Sequence, residues 1–237
     1  MSVFGGPDIV TDGLVLHLDA ANRKSYPGSG TSWNDLSGNN LHAIKTGSPT
    51  FGILNGSYCW RFIADNQYFD TDTSIASYLN GSNLTLESFI CPETDVTSGD
   101  RGTIIHNSNL TGLSNSYGFY QSFNKSNRKQ SNYWYGKNPV GYHEPGAAMS
   151  NNNWYHLVSV WNGSTGKLYQ YLNNIKTSVD TAGTNANIRT YITIGKERSA
   201  TGRQFAGGIS LIKIYNRSLT DIEVEQNYNA LKGRFGL

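Results

Sequence analysis

The strongest structural signal in the sequence lies near the C-terminus, in residues 205–223. There Ile212 and Ile214 alternate with Lys213 and Tyr215, and this two-residue period is typical of a strand with one buried face. The two isoleucines are expected to face a core, with the lysine and the tyrosine on the outside. The pattern therefore predicts a half-buried β-strand.

A helix is predicted soon after this strand. Thr220 is a favourable N-cap, and Glu223 completes a capping box because it follows three residues later. Gly233 and Gly236 are expected to end the helix. The C-terminal segment thus predicts a strand, a polar turn and one short helix.

Alternating apolar residues predict further strands along the rest of the chain. These strands cover residues 14–18, 41–44, 58–62, 68–69, 84–91, 103–106, 117–123, 133–135, 154–161, 168–172, 175–179 and 188–194. Only 15% of the residues are charged, while Gly, Asn, Ser, Thr and Tyr are abundant. This composition favours many strands joined by tight turns. We expect an all-β, two-sheet antiparallel sandwich with a short C-terminal helix.

The domain organisation is expected to be simple. No change in composition marks a linker, and the sequence contains no long-period repeat. Residues 1–12 are interpreted as an N-terminal arm, and residues 13–237 as one domain. Residues 22–56 are expected to be rich in loops, with one short strand at 41–44.

Charge and hydropathy exclude several classes of partner. The net charge is +2 with scattered basic residues, whereas a phosphate-binding surface needs a clustered basic face. We therefore expect no nucleic-acid partner. No segment is long and apolar enough for a membrane span, so we expect no membrane partner. Residues 1–8 lack the basic start and apolar core of a signal peptide, which predicts synthesis in a cytoplasm.

Three segments together resemble a known family. Residues 205–223 have the form F-x-G-x-I, then I-Y-N-R-x-L-T-x-x-E; residues 153–158 contain W-Y-H-L-V; and residues 192–195 are I-T-I-G. Their order and spacing resemble those of laminin-G-like, concanavalin A-like jelly rolls. The resemblance covers most of the chain and implies a jelly-roll sandwich of that type.

The opening of the chain resembles a narrower group. Residues 13–22, G-L-V-L-H-L-D-A-A-N, and residues 33–39, W-N-D-L-S-G-N, are similar to tailed-phage virion proteins that carry such a domain. This resemblance implies a location in the virion. The implied partners are other virion proteins or copies of the same chain.

The chain lacks the motifs of the common catalytic sites. Some jelly rolls of this type are glycoside hydrolases with three spaced acids on one strand, but here Glu93 and Asp95 are followed by Ser98 in the third position. Both acids are interpreted as loop residues. The five histidines are dispersed without metal-ligand spacing. Gly207 and Gly208 are interpreted as a bulge or close backbone contact.

Cysteines and calcium leave alternatives open. Cys59 and Cys91 both lie in predicted strands and are expected to be free, partly buried thiols in a reducing compartment, although a disulfide stays open. Laminin-G-like domains often hold one calcium ion at a rim. Acids near residues 65–66, 70–72 and 95–100 leave a structural calcium ion open, without a dense ligand loop. No other cofactor is expected.

One aromatic-rich stretch is the candidate ligand site. Its members are Tyr117, Tyr120, Tyr133, Trp134, Tyr135 and Tyr142, with several asparagines between them. Carbohydrate sites combine exposed aromatic rings with amides and acids. A place in the core or in a protein interface is favoured over sugar binding, because Tyr and Trp are enriched in strands and interfaces.

These observations lead to a ranked functional prediction. The first hypothesis is a non-enzymatic structural or recognition protein of a phage virion: a head-decoration, fibre or tail-associated protein acting through surface and loop contacts. The second is a lectin-like adhesin that binds host-surface glycans. The third, a glycan hydrolase or lyase, is disfavoured by the missing acid motif.

Overall fold

A computed structural model describes residues 7–79, 81–94, 100–108, 117–134, 142–181, 188–197 and 202–237. Within these ranges the chain forms fifteen strands and one helix. In chain order they are Leu14–Asp19 (β1), Ser32–Trp33 (β2), Ala43–Thr46 (β3), Thr50–Leu54 (β4), Ser57–Phe62 (β5), Tyr68–Thr71 (β6), Asn83–Pro92 (β7), Arg101–Ser108 (β8), Tyr117–Asn124 (β9), Gln130–Trp134 (β10), Tyr155–Asn162 (β11), Lys167–Leu172 (β12), Ile175–Thr181 (β13), Tyr191–Ile194 (β14), Gly207–Tyr215 (β15) and Asp221–Phe235 (α1).

The strands form two antiparallel sheets. The eight-stranded sheet has the order β13-β12-β11-β7-β15-β5-β4, with β1 paired to β15 beside β5. The seven-stranded sheet has the order β10-β9-β8-β14-β6-β3-β2. Neighbouring strands are often far apart in sequence, as in β7–β15, because the chain crosses repeatedly between the sheets. The expected all-β sandwich with one C-terminal helix is confirmed.

The core between the sheets is apolar at one end and partly polar at the other. Trp33, Trp60 and Phe69 pack with ring centroids 4.9–6.4 Å apart. Elsewhere Gln121 of β9 accepts a hydrogen bond from Ser88 (2.7 Å) and donates one to Ser159 (2.9 Å), both on the opposite sheet. These bonds link the sheets and satisfy polar groups that would otherwise be costly to bury.

The expectation that strand β15 is half-buried is wrong. All nine residues of Gly207–Tyr215 are buried, and Lys213 and Tyr215 are 0% exposed. The reason is that α1 and the segment before β1 cover the outer face of this sheet. Asn227 of α1 accepts a hydrogen bond from the Val10 amide (2.8 Å), while the Tyr215 hydroxyl donates to the Val10 carbonyl (3.1 Å). The boundary proposed at residues 12 and 13 stays a prediction.

Helix α1 begins as the sequence predicts. The Thr220 side chain accepts from the Glu223 amide and the Glu223 side chain accepts from the Thr220 amide, so the capping box is confirmed. Gly236, in the left-handed conformation, caps the C-terminus. The expectation that Gly233 ends the helix is wrong, since the helix continues to Phe235. No helix in the described ranges is long and apolar enough to cross a membrane.

The distinctive opening of the chain has a structural role. Asp35 accepts hydrogen bonds from the amides of His17 (2.9 Å), Ser37 (2.9 Å) and Leu41 (3.1 Å). Its carboxylate thereby fastens the loop of residues 34–41 along the free side of β1. Ser37 adds a bond to the Val15 carbonyl (2.8 Å).

The two cysteines are free and buried. Cys59 lies on β5 and Cys91 on β7, with β15 between them. Strands two places apart are separated by about 10 Å, which exceeds the span of a disulfide. Burial raises the pKa of both thiols to about 12.

The predicted close contact at the paired glycines is confirmed. Gly207 has a φ of 142°, and a Cβ atom there would lie 2.2 Å from the Cys91 carbonyl oxygen. A Cβ atom on Gly208 would lie 2.9 Å from the Cys59 sulfur. Gly207 therefore needs glycine, because a backbone oxygen stands where its Cβ atom would lie, whereas Gly208 lies against side-chain atoms.

Most predicted strands are present, including β5, and the main omission is β4, which forms a hairpin with it. Residues 50–54 fall in the segment expected to be mainly loops, yet they pair with β5 from Thr50↔Arg61 to Leu54↔Ser57. The run is short, and Gly52 interrupts its apolar alternation, so it gave a weak strand signal.

Candidate functional site

Three of the six predicted aromatic residues form one cluster on the outer face of the seven-stranded sheet. Phe119 and Phe123 of β9 belong to the core, so strand alternation places Tyr120 on the opposite face. Tyr120 stacks on Tyr133 of β10, with ring centroids 5.2 Å apart and planes 11° apart. Tyr142 lies 5.7 Å from Tyr120 and 5.6 Å from Tyr133.

The members of this cluster differ in exposure. Tyr120 is only 1% exposed, whereas Tyr133 and Tyr142 are half-buried. Tyr120 therefore acts as the buried support, and the other two rings present the accessible surface. Burial raises the pKa of Tyr120, so its hydroxyl stays neutral at physiological pH.

Arg101 of β8 joins the aromatic cluster to an acidic side chain. Its guanidinium carbon lies 3.3 Å from the centroid of the Tyr142 ring, a close cation–π contact. The same guanidinium donates to Glu144 (2.6 Å) and Ser131 (3.3 Å) and contacts Asp100. The aromatic ring and the carboxylate thus fix Arg101 from two sides.

Glu144 is held by an unusually complete set of donors. Besides Arg101, it accepts hydrogen bonds from Asn124 (2.8 and 2.9 Å), Asn127 (2.9 Å) and Ser131 (2.8 Å). Burial acts to raise the pKa of Glu144, but these hydrogen bonds lower it overall. A carboxyl group of this kind stays ionised and is a poor proton donor.

A second arginine lies beside the same tyrosine. Arg203 donates to Glu197 (2.6 Å) and to the Tyr142 hydroxyl (3.3 Å), and it lies 3.4 Å from Asp100. We call Arg101, Tyr120, Tyr133, Tyr142, Glu144, Glu197 and Arg203 the outer-face cluster. It combines accessible aromatic rings with fixed hydrogen-bonding groups.

The remaining predicted site residues can be placed only in part. Tyr117 lies in β9 and Trp134 in β10, where Trp134 pairs with Phe119, but their side chains lie outside the described part of the chain. Tyr135 lies outside it altogether. The charged members of the cluster were missed, because Arg101, Glu144, Glu197 and Arg203 are widely separated in sequence and share no motif.

The acid run considered for hydrolysis is only partly described. Glu93 forms a bidentate pair with Arg61, at 2.6 and 2.9 Å, at the side of a groove of about 440 Å³. Asp95 and Ser98 lie outside the described residues. Among the residues that the structure describes, no three His, Cys, Asp or Glu side chains are grouped to hold a metal ion. The structural calcium ion stays the open alternative that the sequence left.

The family of the chain follows from a direct match. A laminin-G family model, described as the concanavalin A-like lectin/glucanases superfamily, matches residues 64–225, which is more than half of the sequence. The chain belongs to this superfamily. The matched region includes the whole outer-face cluster, together with β7 to β15. A search of curated proteins finds no match.

Solved structures share the superfamily fold at low sequence identity. The receptor-binding domain of botulinum neurotoxin C/D mosaic serotype has a TM-score of 0.67 and 14% identity, covering 92% of this chain and 51% of that one. Trypanosoma rangeli sialidase with the inhibitor DANA gives 0.67 and 15%, covering 95% and 34%. The binding domain of botulinum neurotoxin DC in complex with SialylT gives 0.68 and 14%, covering 94% and 52%. The superfamily domain described here thus spans about half or a third of these longer chains.

Proposed function

We propose that this superfamily domain is a lectin-like module that binds glycans without transforming them, through the outer-face cluster. The observation that carries the proposal is the half-buried pair Tyr133 and Tyr142, supported beneath by Tyr120 and flanked by Arg101 and Glu144. Aromatic rings offer apolar surface to the C–H face of a sugar, and fixed polar groups beside them bind its hydroxyls. The superfamily is consistent with a glycan as the ligand.

The charges of the cluster favour an uncharged sugar. Arg101 is paired with Glu144, and Arg203 with Glu197, while Asp100 lies beside both arginines. Among these described residues, two cations thus face three carboxylates. An anionic sugar would have to displace one of these carboxylates and would be repelled by the other two. A neutral hexose meets no such cost.

A non-catalytic role is supported by the state of the acids. Glycoside hydrolysis by the common mechanism needs one carboxylic acid with a raised pKa opposite a second carboxylate. The pKa of Glu144 is instead lowered by its four donor residues, and Glu93 is committed to Arg61. Glu144 is therefore better suited to holding the outer-face cluster rigid, and Glu93 to fixing Arg61.

A glycan array tests the proposal with the full chain. We expect selective binding to uncharged saccharides, with loss of binding in Tyr133→Ala. Tyr169→Ala is the matched control, because Tyr169 is a half-buried strand tyrosine on the other sheet. Binding confined to sialylated or sulfated glycans would contradict the charge argument. Release of reducing ends from a bound glycan would contradict the non-catalytic role.

The virion location predicted from the opening segment stays a prediction. Residues 14–19 of that segment form β1, and residues 34–39 belong to the loop that Asp35 organises. Both parts thus have a structural role without reference to a particle. Mass spectrometry of purified particles would test it. Stoichiometric amounts of the chain in particles would support a decoration, fibre or tail role, and its absence would remove that role.

A further inference from the structure

Strand β4 has one side open along the edge of the eight-stranded sheet. Within the described residues it pairs only with β5. The two strands are joined at Asn55 and Gly56, whose φ angles are 45° and 84°, as in a two-residue type I′ hairpin. In such a hairpin the closing pair, here Leu54↔Ser57, exchanges both of its main-chain hydrogen bonds.

The register fixes which main-chain groups of β4 face away from the sheet. Because hydrogen-bonded pairs alternate along an antiparallel ladder, residues 50, 52 and 54 direct their N–H and C=O groups toward β5. Phe51 and Ile53 direct theirs outward. The edge therefore presents two donors and two acceptors, spaced as a further strand requires.

The other described strand edges are covered or shortened. Along β1, the Leu36 amide donates to the His17 carbonyl (2.8 Å). Along β10, Asn132 and His143 exchange main-chain bonds of 3.0 and 2.9 Å. Strand β2 has two residues, and β13 carries Lys176 and a register shift against β12. Charges, short strands and irregular pairing are the usual protections against edge pairing.

Strand β4 lacks these protections and carries an exposed apolar surface. Its sequence, Thr-Phe-Gly-Ile-Leu, has no charge, and its pairing with β5 has no bulge. Ile53 is 62% exposed and its neighbour Tyr58 is 46% exposed. Phe51 stacks on Tyr58 with ring centroids 5.5 Å apart. Open main-chain groups and apolar side chains thus occur at the same edge.

We propose that β4 pairs with β4 of a second copy of this chain, antiparallel about a two-fold axis at Gly52. That axis sets Phe51 opposite the partner's Ile53 and Ile53 opposite the partner's Phe51. These are the residues whose main-chain groups face outward, so the pairing forms four hydrogen bonds and leaves none of those groups unused. No other register of two identical strands matches both residues.

The side chains suit the same arrangement. Phe51 and Ile53 lie on one face of β4, so the symmetric pairing brings each phenyl ring beside the partner's isoleucine. It covers the Ile53 side chain, and like charges do not meet because β4 has none. An isologous interface of this kind closes after two copies. The result is one continuous sheet of sixteen strands, twice the eight of one copy.

Sedimentation equilibrium of the full chain over a range of concentrations tests the proposal. We expect a dimer that becomes a monomer in Ile53→Lys, which places an ammonium group in the apolar contact. Ile175→Lys is the matched control, since Ile175 is 69% exposed on the opposite edge strand, and it should dimerise like the wild type. A monomeric wild type overturns the proposal, as does an Ile53→Lys chain that dimerises as well as the control.

Amide hydrogen exchange supplies a second readout that is independent of the lysine. In the wild type, the Phe51 and Ile53 amides should exchange slowly at high concentration and faster on dilution. The Gly52 and Leu54 amides, bonded to β5, should be slow at both. Ile53→Pro removes the outward donor of residue 53 together with the isoleucine side chain, without removing a donor that bonds β5, and should also give a monomer. Exchange at Phe51 that is fast at every concentration contradicts the pairing.

Discussion

Lys213 Nζ and Glu87 Oε1 lie 3.0 Å apart, and both side chains are 0% exposed. The pair sits where strands β7 and β15 meet helix α1. His156 contacts the same oxygen at 3.0 Å, and Asn227 of the helix donates to the second oxygen at 2.7 Å. The carboxylate is therefore fully used, and it connects the central strands to the helix that covers them.

Removing one member of this buried pair should be costly. Lys213→Met leaves the Glu87 carboxylate without its cation, and we expect it to lower the free energy of unfolding by about 3–5 kcal/mol. The double variant Glu87→Gln with Lys213→Met should recover much of that loss, because no buried charge remains. Urea denaturation followed by far-ultraviolet circular dichroism measures both.

The surface pair of Lys176 and Asp221 provides the control for this experiment. Its members are 36% and 67% exposed, so Lys176→Met should cost less than about 1 kcal/mol. Equal losses for Lys213→Met and Lys176→Met would contradict the role given to the buried pair.

The same pair predicts a loss of stability in acid. Burial acts to raise the pKa of Glu87, but Lys213 and the His156 hydrogen bond lower it to about 2, from an ordinary value of 4.5. Glu87 therefore stabilises the fold fully above about pH 4.5, and this contribution, about 3 kcal/mol, disappears as the pH falls toward 2. Urea denaturation at pH 5 and pH 2.5 measures it.

Other carboxyl groups titrate in the same range, so the comparison needs a reference. The Glu87→Gln, Lys213→Met double variant retains those groups, including Glu223, whose pKa is also lowered to about 2. Its stability should fall less steeply between the two pH values. Parallel curves for the two proteins would show that Glu87 does not titrate as expected.

Substitution by alanine should have opposite effects on stability at two glycines. Gly207→Ala meets the Cys91 carbonyl oxygen 2.2 Å from the new Cβ atom, at a φ of 142°, and should lower the free energy of unfolding by about 2 kcal/mol or more. Gly233→Ala lies in α1 with nothing within 4 Å and should raise it by about 0.5–1 kcal/mol. Thermal denaturation compares them, and a tolerated Gly207→Ala would remove the close-packing argument.

The sequence predicts local features of this fold better than distant contacts. Thr220 and Glu223 stand three residues apart, so their capping box follows from their spacing. Lys213 was expected on an exposed face because it alternates with Ile212 and Ile214. Its partner Glu87 is 126 residues away, so no local pattern indicated the buried pair. Alternation shows which residues share a face of a strand, but another element decides whether that face meets water.

The candidate site, too, was predicted from residues close in sequence but not from contacts between distant ones. Tyr120, Tyr133 and Tyr142 were expected from the density of aromatic residues, and they do cluster. Their charged neighbours Arg101 and Arg203 gave no signal, since β8 and the segment after β14 bring them together only in the folded sheet. Which tyrosine is buried also depends on these neighbours.

Calorimetric titration tests the glycan-binding account most directly, using the uncharged saccharide that binds best on an array. Wild type, Tyr142→Ala and Tyr169→Ala would be compared after circular dichroism has shown that all three are folded. We expect Tyr142→Ala to weaken binding about tenfold or more, a loss of about 1.4 kcal/mol, while Tyr169→Ala should match the wild type. Equal affinity for all three proteins, or no heat with any uncharged saccharide, would contradict it.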